Sequence, residues 1–251
     1  MNIDELKQRA AAGDAEAQYE LGICYLNGED IKLDEEAAFL WFKESAGQGY
    51  IPAYRILGEC YNWGCGVEQD YEEAVKWWRL AAEQGNAEAQ FNVGANYWYG
   101  LGVEQNQEKA VSQWQEIADK LPAAQNNLGY CYQKGFVFEQ NYEEAVKWYK
   151  LAAKYGSAQA QACLGDWYYN GRVVQQSYEE AVKLYKLAAN QNYARAYKRL
   201  AQCYYFGEGV EQNPKEAFIS IVLGTASGLL TYYIFMALCI AKEKLLAKIK
   251  K

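Results

Sequence analysis

The sequence predicts an all-α solenoid of stacked helix–turn–helix units. Three observations predict it. The segment YEEAVKWWRLAA at Tyr71–Ala82 returns as YEEAVKWYKLAA at Tyr142–Ala153 and as YEEAVKLYKLAA at Tyr178–Ala189. A glycine recurs at Gly22, Gly58, Gly94, Gly129 and Gly165, with Ala201 in the sixth place, on a period of 36 residues with one step of 35. Within each unit the repeated apolar residues, such as Ala17, Leu21, Gly22 and Tyr25, fall at helical spacing. Periods of this size mark a supersecondary unit that buries its apolar face only by stacking on its neighbours.

Each element follows from that frame. Glu5–Gly13, ELKQRAAAG, reads as the second half of a unit and forms an N-terminal half-repeat or cap over residues 1–13. Six units follow over 14–49, 50–85, 86–121, 122–156, 157–192 and 193–228. The first helix of each has the form of AEAQYELGICYLNG, with a tyrosine three residues after the anchor, from Tyr25 to Tyr204. The anchor glycine costs about 1 kcal/mol in a helix relative to alanine, so close approach of the partner helix is the expected compensation. Loop glycines at Gly28, Gly64, Gly100, Gly135, Gly171 and Gly207 end that helix. The second helix opens on Asp70, Asn141, Ser177 or Asn213 with a glutamate three residues on, the spacing of a capping box. Pro214 stands where a missing N–H does no harm. Met236, Ala237 and Cys239 then fall at first-helix positions and predict a C-terminal capping helix over 229–251.

At this point the chain resembles the Sel1-like repeat, a relative of the tetratricopeptide repeat. Ala-x-Ala-Gln, Leu-Gly-x-x-Tyr, the Gly-x-Gly turn, Tyr-x-x-Ala and the Ala-Ala before a terminal Gly carry the resemblance from about Asp14 to Gly228. It departs at Ala201, at Pro122, and at Gly135-Phe136-Val137 and Gly171-Arg172-Val173, which lose the second turn glycine. The resemblance implies a right-handed superhelix of helix pairs, first helices along the concave side, and a role in protein–protein interaction. It implies no reaction.

Composition removes several function classes. A net charge of −7 argues against general nucleic-acid binding, which needs a basic face. The chain has no histidine, so Ser-His-Asp and Cys-His catalysis and histidine metal sites are excluded. Of seven cysteines, Cys24, Cys60, Cys131, Cys203 and Cys239 share one place in the repeat, roughly 8–10 Å apart on stacked helices and too distant for disulfides. They read as small buried hydrophobes in a reducing, cytoplasmic setting. Cys65 and Cys163 lie outside that slot but have no base to activate them and no zinc-ligand spacing. Gly64-Cys65-Gly66, Gly100-Leu101-Gly102 and Gly207-Glu208-Gly209 sit between helices and lack a phosphate-binding lysine, so they read as turns. Glu72/Glu73 and Glu143/Glu144 read as first-turn acids favoured by the helix dipole. MNIDELKQRAAAGD is not a secretory signal. No enzyme activity, cofactor or metal is expected.

From Ala217 to Ala241 the chain carries no charge, and Lys242, Lys244, Lys248, Lys250 and Lys251 follow. That pattern also marks a membrane span. The repeat frame runs through it, with Thr225, Ser227 and Gly228 at an inter-unit loop, so we read it as a packed second helix and cap. A dimer contact through the cap helix is the further alternative.

Function is expected where the copies differ. On the first helix, the residues three before, one after, four after and five after the anchor share a face away from the Leu–Gly–Tyr stripe. The candidates on it are Tyr19; Arg55, Glu59 and Trp63; Phe91, Trp98 and Tyr99; Tyr130, Gln133 and Lys134; Asp166 and Tyr169; Lys198, Gln202, Tyr205 and Phe206. Aromatic and arginine residues of this kind are the usual hot spots of interfaces. The sequence therefore predicts a non-enzymatic scaffold that holds a partner protein or peptide in a concave groove. Two alternatives are an immunity-type inhibitor of a basic toxin or effector, and a membrane-attached assembly factor using 217–251.

Overall fold

The computed structural model describes residues 2–225, and every element among them is helical. A lead helix, α1 (Ile3–Ala11), precedes six helix pairs. The first helices are α2 (Ala15–Asn27), α4 (Ile51–Trp63), α6 (Ala87–Tyr99), α8 (Pro122–Lys134), α10 (Ala158–Asn170) and α12 (Ala194–Phe206). Their partners are α3 (Glu35–Gly47), α5 (Tyr71–Glu83), α7 (Gln107–Glu116), α9 (Tyr142–Lys154), α11 (Tyr178–Ala189) and α13 (Pro214–Leu223). The chain forms two compact units, residues 1–124 and 125–251. The expected cap over 229–251, Cys239 and most of the uncharged stretch lie outside the described residues. Among the described residues no helix is long and apolar enough to cross a membrane.

Side-chain caps start the second helices. Asp34, Asp70, Asn106, Asn141, Ser177 and Asn213 each accept from an N–H of the first turn, satisfying donors that the helix cannot. Only half of the expected capping box forms. The N–H of each cap residue donates to the carbonyl of the anchor tyrosine of its own unit, from Asp34 to Tyr25 through Asn213 to Tyr204, at 2.8–3.0 Å. With that donor satisfied, the glutamates turn to lysines one turn on: Glu73 to Lys76, Glu144 to Lys147 and Glu180 to Lys183.

The turn between the helices holds two left-handed residues in every unit. The second is Asp30, Gly66, Gly102, Val137, Val173 and Gly209 in order, with φ between 57° and 72°. At Gly66, Gly102 and Gly209 glycine is needed for contact as well as conformation. A Cβ on Gly66 would overlap the backbone of Glu35, and one on Gly102 or Gly209 the backbone of Tyr71 or Tyr178. These three turns thus rest on the start of the preceding repeat's second helix. Val137 and Val173 hold the same φ of 65° with a β-branched side chain, a strained arrangement.

The core is a row of glycine–aromatic pairs. A Cβ on Gly22 would lie 2.5 Å from the Phe42 ring, and one on Gly165 would lie 2.6 Å from the Tyr185 ring. Gly58 faces Trp78, Gly94 faces Trp114 and Gly129 faces Tyr149 in the same way. The sixth unit places Ile221, not an aromatic, twenty residues after its anchor, and there the anchor is Ala201. The six described cysteines are free. Burial pushes the Cys60 and Cys131 thiols up to about 12 and Cys203 to about 11, so they are protonated packing groups.

Candidate protein-interaction surface

The variable stripe does not form one open wall. Its members three before, one after and four after the anchor are largely taken up by contacts with neighbouring helices. Tyr19 packs its ring against Phe42 and Tyr50, at 5.8 and 5.4 Å. Arg55 pairs with Glu59 on its own helix and, at 3.4 Å, with Glu88 on α6. Burial raises the Glu59 carboxyl while Arg55 counters it. Phe91 and Trp98 both lie against Trp114, at 6.1 and 5.4 Å. In the fourth repeat, Gln133 accepts from the Tyr149 hydroxyl at 2.7 Å.

Asp166 corrects the expectation most sharply. It is 7% exposed and cannot meet a partner face to face. Its carboxylate accepts from Tyr185 at 2.8 Å, from Arg199 at 2.7 Å and from Arg195. Both arginines come from α12, so Asp166 joins two consecutive first helices. Tyr169 repeats the logic one turn on. Its hydroxyl donates to Glu208 at 2.5 Å and accepts from Gln202 at 2.7 Å. Burial and then Glu208 raise its pKa.

The stripe five residues after the anchor behaves differently, because it stands on the last residue of each first helix. Asn27, Trp63, Tyr99, Lys134, Asn170 and Phe206 are all exposed. Trp63 is 73% exposed and Tyr99 68% exposed. Tyr130 is exposed beside Lys134, whose ammonium lies 5.9 Å from the ring centre. Tyr205 and Phe206 meet edge-on at 5.0 Å. With Lys198 and Gln202 they line an apolar groove of about 770 Å³ between α12 and α13. Position for position, Asp166 and Tyr169 of the preceding unit correspond to Gln202 and Tyr205 and are engaged by α12. The groove therefore ends the described stack.

Two features went unread in the sequence. The turn glutamines Gln69, Gln105, Gln140, Gln176 and Gln212 each donate to a carbonyl in the last turn of the preceding first helix, at 2.7–2.9 Å. They tie the turn down and fix the exposed helix ends. Their period of 36, with one step of 35, was the available signal. Charge is also divided. Residues 1–124 hold 9 Lys and Arg against 22 Asp and Glu, a net of −13, whereas residues 125–251 hold 16 against 10, a net of +6.

Glycine-spaced helix pairs, a tied turn and a variable helix end define a helical repeat protein. The Sel1 repeat model matches residues 15–50, 51–86, 87–114, 122–157, 158–193 and 194–219, and the chain belongs to the Sel1 repeat family. It is similar to the c5321 protein, a protective antigen present in uropathogenic Escherichia coli strains displaying an SLR fold, at 34% identity and a TM-score of 0.74. That match covers 89% of this chain and 48% of the antigen, so the chain spans about half of its length. It is also similar to a Sel1 repeat protein from Oxalobacter formigenes, at 30% identity and a TM-score of 0.79, over 89% of this chain and 98% of that one. The immunity protein PA5088 from Pseudomonas aeruginosa shares the fold at 20% identity and a TM-score of 0.58, over 85% of this chain and 82% of that one. No curated protein matches. Sel1 repeat proteins bind protein partners.

Proposed function

We propose that the chain is a non-enzymatic, cytoplasmic interaction scaffold that recognises a partner protein through the exposed ends of its first helices. One observation carries the reading. The residue that ends each first helix is exposed in all six pairs, changes in nearly every copy, and includes two large aromatic rings on successive units. A rigid frame that holds such groups ready lowers the ordering cost of binding. Capture of partners under native conditions, with wild type beside Trp63→Ala/Tyr99→Ala, tests it. A partner that binds the purified chain with a measured Kd supports the reading. The absence of any direct protein partner for the purified chain ends it.

The net charge of −13 over residues 1–124 favours one narrower version, an immunity-type inhibitor of a basic toxin or effector. Its mark is survival of cells that express both proteins, lost when the chain is omitted.

A further inference from the structure

We propose that residues 230–242 of this same chain dock as a helix in the apolar groove between α12 and α13, in the register that α12 takes on α10 and α11. The inference stands apart from the scaffold reading. It assigns Gln202 and Tyr205 to an intrachain contact rather than to a partner.

The preceding pair shows what such a groove takes. Leu200 and Cys203 of α12 are buried in one cluster with Ala162 of α10 and Ala181, Val182 and Tyr185 of α11. Alongside, Asp166 accepts from Tyr185, Arg195 and Arg199, and Gln202 donates to the Tyr169 hydroxyl. The groove between α12 and α13 offers the equivalent face, with Ala201, Gln202, Tyr205 and Ile221 in its lining.

One period of 36 residues further on, the chain carries a matching set. Met236, Ala237 and Cys239 stand at the places of Leu200, Ala201 and Cys203. The polar network is exchanged as a whole. Asp166 gives way to Gln202, Tyr185 to Ile221, Arg195 to Thr231 and Arg199 to Phe235. Losing one member alone would leave a buried charge unpaired, whereas losing both signs together leaves none. Leu238 takes the place of Gln202, opposite Tyr205. The uncharged run suits an apolar lining, and burial of apolar surface drives the docking. Charge resumes at Lys242, the place of Phe206, which is the helix end that stacking leaves exposed in all six pairs. A bilayer span competes poorly for these residues. α13 ends at Leu223, and the stretch from Leu229 to Ala241 is shorter than the roughly 20 apolar residues a span needs.

Hydrogen exchange of the full chain, read by mass spectrometry without lipid, tests this. Amides of 230–242 should exchange slowly, as those of α12 do. Ile221→Asp should speed them about tenfold or more and leave α10 and α11 protected, which also shows that the variant is folded. Gln202→Asp and Phe235→Arg should each loosen the segment. Together they rebuild the Asp166–Arg199 pair, so the double variant should recover most of the protection. Exchange of 230–242 within seconds in the wild type, or additive losses in the double variant, overturns the proposal. Protection that appears only in a dimer assigns the groove to a second copy, and protection only with lipid vesicles assigns the segment to a membrane; either result overturns it as well.

Discussion

Gly94 and Trp114 occupy one space: a Cβ on the glycine would stand 2.6 Å from the indole nitrogen. That nitrogen donates to the Phe91 carbonyl at 3.3 Å, and Phe91 and Trp98 close over the ring. The helix pair is thus set at a distance that only a missing side chain permits. Each glycine of the row forfeits helix propensity and admits a full aromatic ring to the core.

Gly94→Ala should therefore destabilise the fold by about 1–3 kcal/mol, the usual cost of overpacking a filled core. Urea unfolding measures it. The double variant Gly94→Ala/Trp114→Ile, which copies Ala201 and Ile221, should be less unstable than the sum of the two single changes. Additive losses would show that the two positions are not coupled.

Relief of strain should be visible in the turns. Val173→Gly replaces a β-branched residue at φ 65° with the residue that three other units use there. Strain of about 1–3 kcal/mol is removed against a glycine entropy cost of about 0.5–1 kcal/mol. The melting temperature should rise. Gly102→Ala should lower it, because its Cβ would strike the backbone of Tyr71.

Asp166→Asn should cost about 1–3 kcal/mol, as one carboxylate serves Arg195, Arg199 and Tyr185. The loss stays below that of a fully buried pair, because the Arg195 side chain is half exposed and water can solvate it. Unfolding in denaturant should show the loss, and hydrogen exchange should be faster in α10 and α12 than in α9.

Alkaline pH should weaken the fold. Burial raises the Cys60 and Cys131 thiols from 9.0 to about 12 and Cys203 to about 11, and it raises Tyr149 and Tyr185 above 10. Folding thus retains protons that the unfolded chain releases. This contribution is fully present below pH 9 and is lost as pH rises from 9 towards 12. Melts in reductant should fall between pH 8 and pH 10.5, and Cys131→Ala should flatten the decline. The buried thiols should react with a thiol reagent at pH 8 only as the protein unfolds.

Much of the fold was legible because its signals are local and repeated. The anchors, the turn glycines and the cap residues each specify a backbone need that recurs six times, and repetition averages out the noise of any single helix. The capping box was half wrong for a tertiary reason. Its backbone donor was claimed by Tyr61 and the equivalent tyrosines, whose carbonyls are brought there by the chain reversal. The candidate surface was less legible. A helical wheel groups Asp166, Tyr169 and Trp63 by direction, but it does not show where the next unit lies. The following first helix engages Asp166 and Tyr169.

The sequence by itself determined the unit, its period, the close helix approach at its anchor glycines and its lack of histidine chemistry, since each depends on residue type at fixed spacing. Only the tertiary structure decided which variable residues remain available. Where another first helix follows, stacking takes up residues such as Arg55, Asp166 and Tyr169, which lie within side-chain reach of it, and leaves the last residue beyond the contact. That is why Asp166 is sealed between two helices while Trp63 and Tyr99 stand open.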